Sequence, residues 1–426
     1  MPETPAKSSA ALGIQLEHVP GRSFAPGDRI VGRVYRTTPT VAPEARMVVT
    51  LHGRTKSKIT IKRGVEAERR YRASFNTLSA PVEYQVPLAN APLHIPRGSD
   101  GLSWPFALTI PSVVNDVRDS HQRREYAAPG GADGAPFPPP GTFDFYYLDF
   151  LLKGEKVVAF IEYYIQAELI LSHQHKGRTK TETYTATAPF HLHNRTPGPP
   201  VADFRMGPYT QQTSITAYRL TPGVEETSLG QKTRQLFRPS KVPRLAFNVT
   251  VLLPHVLQLD NPTQIPVTVL FDPLHLLTSE ALYDVPQQIT IKSFSLHITE
   301  KTTVQAEDRT ISSSGSKAIL VGSGDLARRG QDSEVSTTLT PTAKPTGGPA
   351  AVVNLGQMLD LRMGARELRP SFATYNISHV HKLHWELVGV VAGQKFKLRS
   401  KHLVTVLPRS SQTDCIQGGE LPPYVK

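Results

Sequence analysis

The 426-residue sequence has a single cysteine, Cys415, and no apolar run long enough to cross a membrane. One cysteine cannot form an internal disulfide and cannot supply a cysteine-rich metal site. The most apolar stretch, residues 157–171, is shorter than the roughly 20 residues that a transmembrane helix needs. The first residues lack the apolar core of a signal peptide. These absences predict a soluble protein of a reducing compartment, the cytoplasm.

Basic residues and proline are both in excess. The chain holds 48 Lys and Arg against 36 Asp and Glu, a net charge of +12, and it holds 37 prolines. Residues 1–80 contain 14 basic and 6 acidic residues, so about a fifth of the chain carries +8 of the excess. A 39% hydrophobic content is enough for folded cores, and at about 100–200 residues per domain the length predicts two domains. An electrostatic partner is therefore expected to contact the N-terminal part of the chain.

Apolar and polar residues alternate along many segments, which is the pattern of half-buried β-strands. The clearest examples are residues 161–171, 245–253 and 383–391. Proline and glycine separate these segments from shorter ones of the same kind. The pattern predicts an all-β protein built of antiparallel β-sandwiches rather than a parallel α/β sheet.

Two details of the pattern give sharper expectations. In residues 289–298 the apolar positions change from odd to even, which predicts a bulge near residues 292–293. No long segment has the 3.6-residue period of an amphipathic helix. Residues 54–75 and 352–361 contain good helix formers, so a short helix is predicted in each.

The composition of the chain also predicts its domain organisation. Ser-, Thr-, Gly- and Pro-rich stretches that lack alternation read as connections, insertions or mobile loops, and residues 112–142 read as a flexible surface insertion. The predicted parts are a first sandwich over 10–195, an interdomain connection over 196–240, a second sandwich over 241–408 with a disordered loop at 305–350, and a flexible tail over 409–426.

A basic run between Arg54 and Arg72 is the first candidate binding feature. If residues 55–63 form one strand, Lys56, Lys58 and Lys62 share a face, and Arg63 adjoins them. Such a surface suits an acidic or phosphorylated partner or anionic lipid headgroups. Nucleic acid is not expected, because the run lacks interleaved stacking aromatics. The alternative is a solvated edge strand whose charges prevent aggregation.

Metal and catalytic signals are weak in this sequence, so neither a metal nor a cofactor is predicted. Histidines recur two residues apart, but no pattern of carboxylates or cysteines completes a ligand set. We interpret these histidines as solvent-facing strand residues. No nucleophile motif appears, and Cys415 has no base near it in the sequence. The pairs are His173 and His175, His191 and His193, and His379 and His381, with His384 nearby.

The tail contains a short peptide motif. Leu421, Pro422, Pro423 and Tyr424 fit the (Leu/Pro)-Pro-x-Tyr pattern that WW domains bind. Consecutive prolines favour the polyproline-II conformation, which reduces the entropy lost when the peptide binds in an aromatic groove. The motif follows the last predicted strand in a polar segment, where a partner has access to it.

Several blocks of this sequence, in order, resemble the fungal arrestin-like proteins, the α-arrestin or arrestin-related trafficking adaptor family. Residues 24–34 resemble the family's opening Pro-Gly-acid segment, and residues 161–169 resemble its Val-Glu-Tyr-Tyr-Ile-x-Ala-Glu-Leu strand. Residues 370–377 match best in the second half. Further similar blocks lie at 49–53, 104–111, 245–254, 289–299 and 383–391.

The resemblance implies a fold and a function that the residue patterns alone do not. It implies two immunoglobulin-like β-sandwiches in tandem, the arrestin fold, with 10–195 as the N-terminal-like and 241–408 as the C-terminal-like domain. It implies a non-enzymatic adaptor, without cofactor, that binds plasma-membrane or endosomal cargo proteins. The WW motif would then recruit a HECT-type ubiquitin ligase, and the protein would be recruited peripherally to those membranes. Alternatives are an endosomal sorting scaffold that works without a ligase, and a carbohydrate-binding or enzymatic β-sandwich.

Overall fold

The structure is a computed structural model of the chain. It describes residues 4–17, 23–63, 67–78, 82–85, 91–116, 118, 120–129, 136–149, 154–175, 178–224, 242–325, 335–343, 351–363 and 368–412.

The chain forms two compact units. The first contains residues 1–195, 302–313 and 372–379, and the second contains residues 196–301, 314–371 and 380–426. Among the described residues, no helix is both long enough and apolar enough to span a membrane. In the part of the chain that the structure describes, each unit has two β-sheets and its own hydrophobic core, so the prediction of an all-β protein made of sandwiches is confirmed.

The first unit consists of a small sheet and a large sheet. The small sheet has the order β1-β2-β7, and the large sheet has the order β10-β9-β3-β4, with β5 and β6 paired to β3 and β8 paired to β9. The elements are β1 (Gly13–Leu16), β2 (Arg29–Arg36), β3 (Thr40–Arg63), β4 (Ala67–Asn76), β5 (Val82–Gln85), β6 (Ala91–Ile95), β7 (Leu102–Thr109), α1 (Ser120–Glu125), β8 (Phe143–Asp149), β9 (Glu155–His175) and β10 (Arg178–Phe190).

Strand β9 shows why these residues form a sheet. Its odd positions from 157 to 171 are apolar or aromatic and are buried in the core of the first unit. A strand directs alternate side chains to opposite faces, so β9 presents one fully buried face. It pairs antiparallel with β3 from Ile61–Glu155 to Glu44–Ser172. The alternation predicted for residues 161–171 is confirmed.

The second unit also has two sheets. One has the order β11-β12-β14-β18, and the other has the order β13-β21-β20-β15-β16, with β17 paired to β15 and β19 to β20. The elements are β11 (Met206–Thr216), β12 (Arg244–Pro254), β13 (Val256–Gln258), β14 (Thr268–Pro273), β15 (Gln287–Ala306), β16 (Arg309–Asp325), β17 (Val335–Leu339), β18 (Ala351–Asn354), α2 (Leu355–Met358), β19 (Phe372–Ala373), β20 (Ile377–Val391) and β21 (Gln394–Leu407). Strands β15, β16 and β20 supply residues to both units, and β19 belongs to the first.

The phase change predicted in β15 is present. Ile289 and Ile291 are buried, and farther along the strand the buried positions become Phe294 and Leu296. Both residues between the two phases, 292 and 293, are half-buried. The shift lets one long strand keep its apolar residues on the core side. The helix predicted at 352–361 exists as the single turn α2.

The helix predicted at 54–75 is wrong. Residues 54–63 and 67–75 belong to the antiparallel pair β3 and β4, in register from Arg63–Ala67 to Arg54–Asn76. The helix formers around Glu68 have the intrinsic preference, but pairing buries Ile59 of β3 and Phe75 of β4 against the core. Burial in tertiary structure outweighs an intrinsic preference of a few tenths of a kcal/mol per residue.

Three other segments are more ordered than their composition indicates. The predicted connection 196–240 contains β11, which pairs along its whole length with β12. The predicted loop 305–350 contains β16 and β17. The predicted insertion 112–142 contains α1 and buries Val114 and Tyr126. Polar composition misled the prediction, because strands at the margin of a sheet need few apolar residues.

A buried hydrogen-bond network connects Asn376 to β3 within the first unit. Asn376, 2% exposed, accepts a hydrogen bond from the Thr55 hydroxyl at 2.8 Å and donates one to the Ser57 hydroxyl at 2.9 Å. Ser57 donates in turn to the carbonyl of Gln305 at 2.6 Å. The oxygen and the nitrogen of the buried Asn376 amide thus each have a hydrogen-bond partner, as buried polar groups require.

Asn376→Ala is expected to lower the free energy of unfolding of the first unit by about 1–3 kcal/mol, because two buried hydroxyls would lose their amide partner. The two tryptophans lie in different units, so a Trp385→Phe background makes Trp104 fluorescence report on the first unit alone. Urea unfolding in that background measures the change.

Asn76→Ala is the matched control, because Asn76 is an exposed asparagine of β4 in the same unit. It should change the free energy by no more than about 0.5 kcal/mol. Equal losses for the two variants would contradict the assignment of the network.

Candidate anion-binding surface on the first unit

The outer face of the large sheet of the first unit carries a cluster of cations on three adjacent strands. Residues that pair directly across an antiparallel ladder share a face. Lys58 pairs with Arg72 of β4 and with Val158 of β9, and the same face continues on both sides of this row. We call this the cationic face; its basic residues are Arg54, Lys56, Lys58, Lys62, Arg70, Arg72 and Lys156.

The structure brings together most of the basic residues singled out in the sequence. Lys56, Lys58 and Lys62 lie on one face of β3, because residues 55–63 belong to a single strand. Arg63 ends the strand opposite Ala67, and its side chain lies outside the described residues. The inner positions Thr55, Ser57 and Ile59 are buried. The alternation of side chains along β3 therefore places its basic residues on the outer face of the sheet.

Glu162 is the buried acid at one end of the cationic face. It is 7% exposed and forms an ion pair with Arg54, and its Oε1 lies 3.8 Å from Nζ of Lys56. Its Oε2 accepts a hydrogen bond from the backbone N–H of Thr4 at 2.6 Å, which holds the N-terminal segment against the sheet. A buried carboxylate with two cations and a backbone donor is fully compensated. Sequence reasoning missed Glu162, although a glutamate within the apolar run 157–171 is a signal of this kind.

Burial and neighbouring charges shift the pKa of Lys56 and the pKa of Glu68. Burial lowers the pKa of Lys56, Arg54 lowers it further, and Glu162 opposes both effects. At the other end of the face, Arg70 donates a hydrogen bond to Glu68 at 2.7 Å. That bond holds the pKa of Glu68 below its ordinary value, and Lys62 and Lys58 add smaller contributions. Glu68 and Glu162 are thus each engaged by cations already.

An exposed aromatic and an exposed aliphatic residue adjoin the cations. Tyr146 and Leu148 of β8 are 61% and 45% exposed. They pair with Val158 and Lys156 of β9, and so lie on the same outer face. Nζ of Lys156 lies 5.6 Å from the centre of the Tyr146 ring, within the range of a cation–π contact. The surface thus offers both positive charge and apolar area to a partner.

The predicted WW motif, Leu421 to Tyr424, lies outside the described residues. The described part of the tail is anchored in the second unit. The N–H of Thr196 donates to the carbonyl of Arg409 at 2.8 Å, and the N–H of Ser411 donates to the carbonyl of Thr196 at 3.0 Å. Ser410 is 1% exposed, and its hydroxyl donates to the carbonyl of Gly198 at 2.6 Å. The tail predicted to be flexible from 409 is therefore packed as far as Gln412.

The interpretation of all the paired histidines as solvent-facing is wrong for two of them. His379 and His381 are 2% and 0% exposed. In the first unit, His379 Nδ1 lies 2.9 Å from the Thr302 hydroxyl. In the second unit, His381 Nδ1 lies 2.8 Å from the Ser371 hydroxyl, and its Nε2 lies 3.9 Å from a carboxylate oxygen of Glu300. His379 and His381 belong to the set of alternate residues of β20 that faces inward. Counting alternate residues in the sequence does not show which of the two sets is buried.

Comparison with known proteins gives no family. No protein-family model matches the chain, and no curated protein matches it.

Glu162→Gln is expected to lower the free energy of unfolding of the first unit by about 1–3 kcal/mol, because Arg54 and Lys56 would lose their buried counter-charge. Urea unfolding monitored by Trp104 in the Trp385→Phe background measures it. Glu168→Gln is the control: Glu168 lies on the same strand and the same face, and it is half-buried. If Glu168→Gln costs as much as Glu162→Gln, the ion pairs do not stabilise the unit.

Proposed function

We propose that the protein is a non-enzymatic adaptor of the arrestin-like kind, which binds membrane-protein cargo and recruits a WW-domain HECT ubiquitin ligase to it. The cationic face of the first unit would bind acidic or phosphorylated segments of the cargo, and the Pro-Tyr motif of the tail would bind the ligase. Ubiquitination of the cargo would then promote its endocytosis. The protein would work in the cytoplasm at the surface of the plasma membrane or of endosomes.

The cationic face is the observation that carries this proposal. Lys58 and Arg72 face each other in one row of the pairing between β3 and β4, while Glu162 is engaged by Arg54 and Glu68 by Arg70. The positive charge of Lys58 and Arg72 is available to an acidic partner, with which it would form charge-assisted hydrogen bonds. Tyr146 and Leu148 add apolar contact area beside it. A sheet face with this composition suits a peptide of a protein partner better than a nucleic acid, whose bases need several stacking aromatics.

Two further features support the proposal. The chain has two separate β-sandwich units, the number that the resemblance implies. The tail is fixed to the second unit up to Gln412, so the motif at 421–424 begins nine residues beyond the last anchored residue. Nine extended residues span at most about 30 Å. A bound ligase domain would therefore stay near the adaptor, which raises its effective concentration at the cargo.

Charge reversal of the cationic face tests cargo binding. A Lys58→Glu/Arg72→Glu double variant is expected to weaken binding of a poly-glutamate peptide by about ten-fold or more, because attraction at two opposite positions becomes repulsion. Binding by the unchanged protein should also weaken as salt is raised. Fluorescence anisotropy of a labelled peptide measures both effects.

The control for this experiment is Arg29→Glu/Arg97→Glu, which changes the net charge equally at exposed positions outside the face. It should bind the peptide nearly as well as the unchanged protein. Equal weakening by both double variants would mean that net charge, and not the cationic face, governs binding.

Tyr424→Ala tests ligase recruitment. It is expected to abolish capture of the protein by an immobilised tandem WW-domain fragment of a HECT ligase, because the tyrosine fills the pocket that orients the peptide. Val425→Ala, next to the motif, should leave capture unchanged. Undiminished capture of Tyr424→Ala, or no capture of the unchanged protein, would favour the sorting scaffold that works without a ligase.

A further inference from the structure

The second unit has a cationic surface of its own, which the sequence analysis did not single out. Strand β21 buries Phe396, Leu398 and Val404 and directs its intervening residues outward. These outward residues include four cations spaced two apart, at positions 395, 397, 399 and 401. The neighbouring strand β20 places His384 opposite Lys401 on the same face.

Two histidines stack on each other at the Lys401 end of this row of cations. The rings of His384 and His297 lie 4.8 Å apart with an angle of 22° between their planes. Both residues are half-buried. Nε2 of His384 lies 2.9 Å from the hydroxyl of Thr299, which fixes the ring. In the described part of the chain, Nδ1 of His384 has no hydrogen-bond partner.

The charges around the histidine pair are mostly uncompensated. Lys382 and Lys401 lie close enough to disfavour a proton on His384. Glu386, the acid of this part of β20, is engaged by Lys397 at 2.7 Å. Among the described residues, Lys382, Arg399 and Lys401 form no ion pair. His402 of β21 also lies near His384, and Lys301 follows His297 on the same strand, β15.

We infer that this surface binds a phosphomonoester dianion between the histidine pair and Lys382, Lys401 and Arg399, and binds it more tightly when His384 is protonated. A phosphomonoester carries about −1.5 to −2 charge near pH 7 and three acceptor oxygens, which suits several donors on one sheet face. Two stacked imidazolium rings repel each other, and an anion beside both offsets that repulsion. The site is distinct from the cationic face and does not depend on the proposed function.

The direction of the pH effect follows from the free protein. Burial lowers the pKa of His384, and His297, Lys401 and Lys382 lower it further. His384 is therefore mostly neutral near pH 7, since an ordinary histidine has a pKa of about 6.5. A bound anion favours the protonated ring and raises this pKa. By linkage, the affinity for the anion must then rise as the pH falls through the range in which the histidine titrates.

The test uses the full chain and inorganic pyrophosphate as the probe. Calorimetry is expected to give binding that weakens by about five-fold or more in a His384→Gln/Lys401→Gln variant, the loss of two charge-assisted contacts. Glutamine keeps polar groups at both positions, and circular dichroism checks that the variant folds. Lys395→Gln is the matched control, because it removes one cation of the same face about 20 Å along β21 from Lys401. Equal weakening in both variants, or no binding by the unchanged protein, would overturn the inference.

The pKa of His384 provides a second readout, because attraction of the anion to distant lysines would leave this pKa unchanged. In protein labelled with carbon-13 at the histidine Cε1 position, saturating pyrophosphate should raise the pKa of His384, whose signal is assigned by its loss in His384→Gln. An unchanged titration of His384 would overturn the inference.

Vesicles distinguish the two sources of such a ligand. Phosphatidylcholine vesicles containing phosphatidic acid present a phosphomonoester headgroup, and vesicles containing the same amount of phosphatidylserine present negative charge without one. Preferential retention on phosphatidic acid, lost in His384→Gln/Lys401→Gln, would assign the site to a lipid headgroup. Equal retention on both, with pyrophosphate still bound, would assign it to a free phosphate ester.

Discussion

The burial of one whole face of β3 is the constraint on which the first unit depends. Strand β3 lies between β9 and β4, and its inner residues pack into the core or join the Asn376 network. A shift of the register by one residue would bury Lys58 and expose Ile59, at a cost of several kcal/mol for the unpaired charge. The strand therefore has one possible register, and that register collects the cations of β3 and β4 on the outer face.

The two cationic surfaces follow the same electrostatic rule within their own units. In each surface a carboxylate is engaged by cations of the same surface: Glu162 by Arg54 and Glu68 by Arg70 in the first unit, and Glu386 by Lys397 in the second. Among the described residues, Lys58 and Arg72 of the first surface and Lys382, Arg399 and Lys401 of the second form no ion pair. The surfaces differ in composition, because the first consists of lysine and arginine, whereas the second also includes His384, whose pKa is lowered by burial and by the neighbouring His297, Lys401 and Lys382.

Much of the fold could be predicted from local pattern, and the failures share a physical cause. Alternation correctly located the long strands, including the change of phase in β15, since burial of one face fixes a period of two. It failed at 54–75, where good helix formers lie in the paired strands β3 and β4, and at β11, β16 and β17, where polar strands gain stability from hydrogen bonds to neighbours. It also misplaced His379 and His381, because their burial depends on what lies across from them.

The candidate surfaces, like the fold, could be predicted from the sequence only in part. The sequence by itself determined the excess of positive charge before residue 81, the presence of the Pro-Tyr motif, and the face shared by Lys56, Lys58 and Lys62, because all three depend only on composition or on the strand period. Only the tertiary structure decided that Glu162 compensates Arg54, that Lys156 and Tyr146 join the cationic face, and that His297 meets His384. These pairs lie far apart in the chain, and a ladder between strands, which no local pattern specifies, brings them within contact.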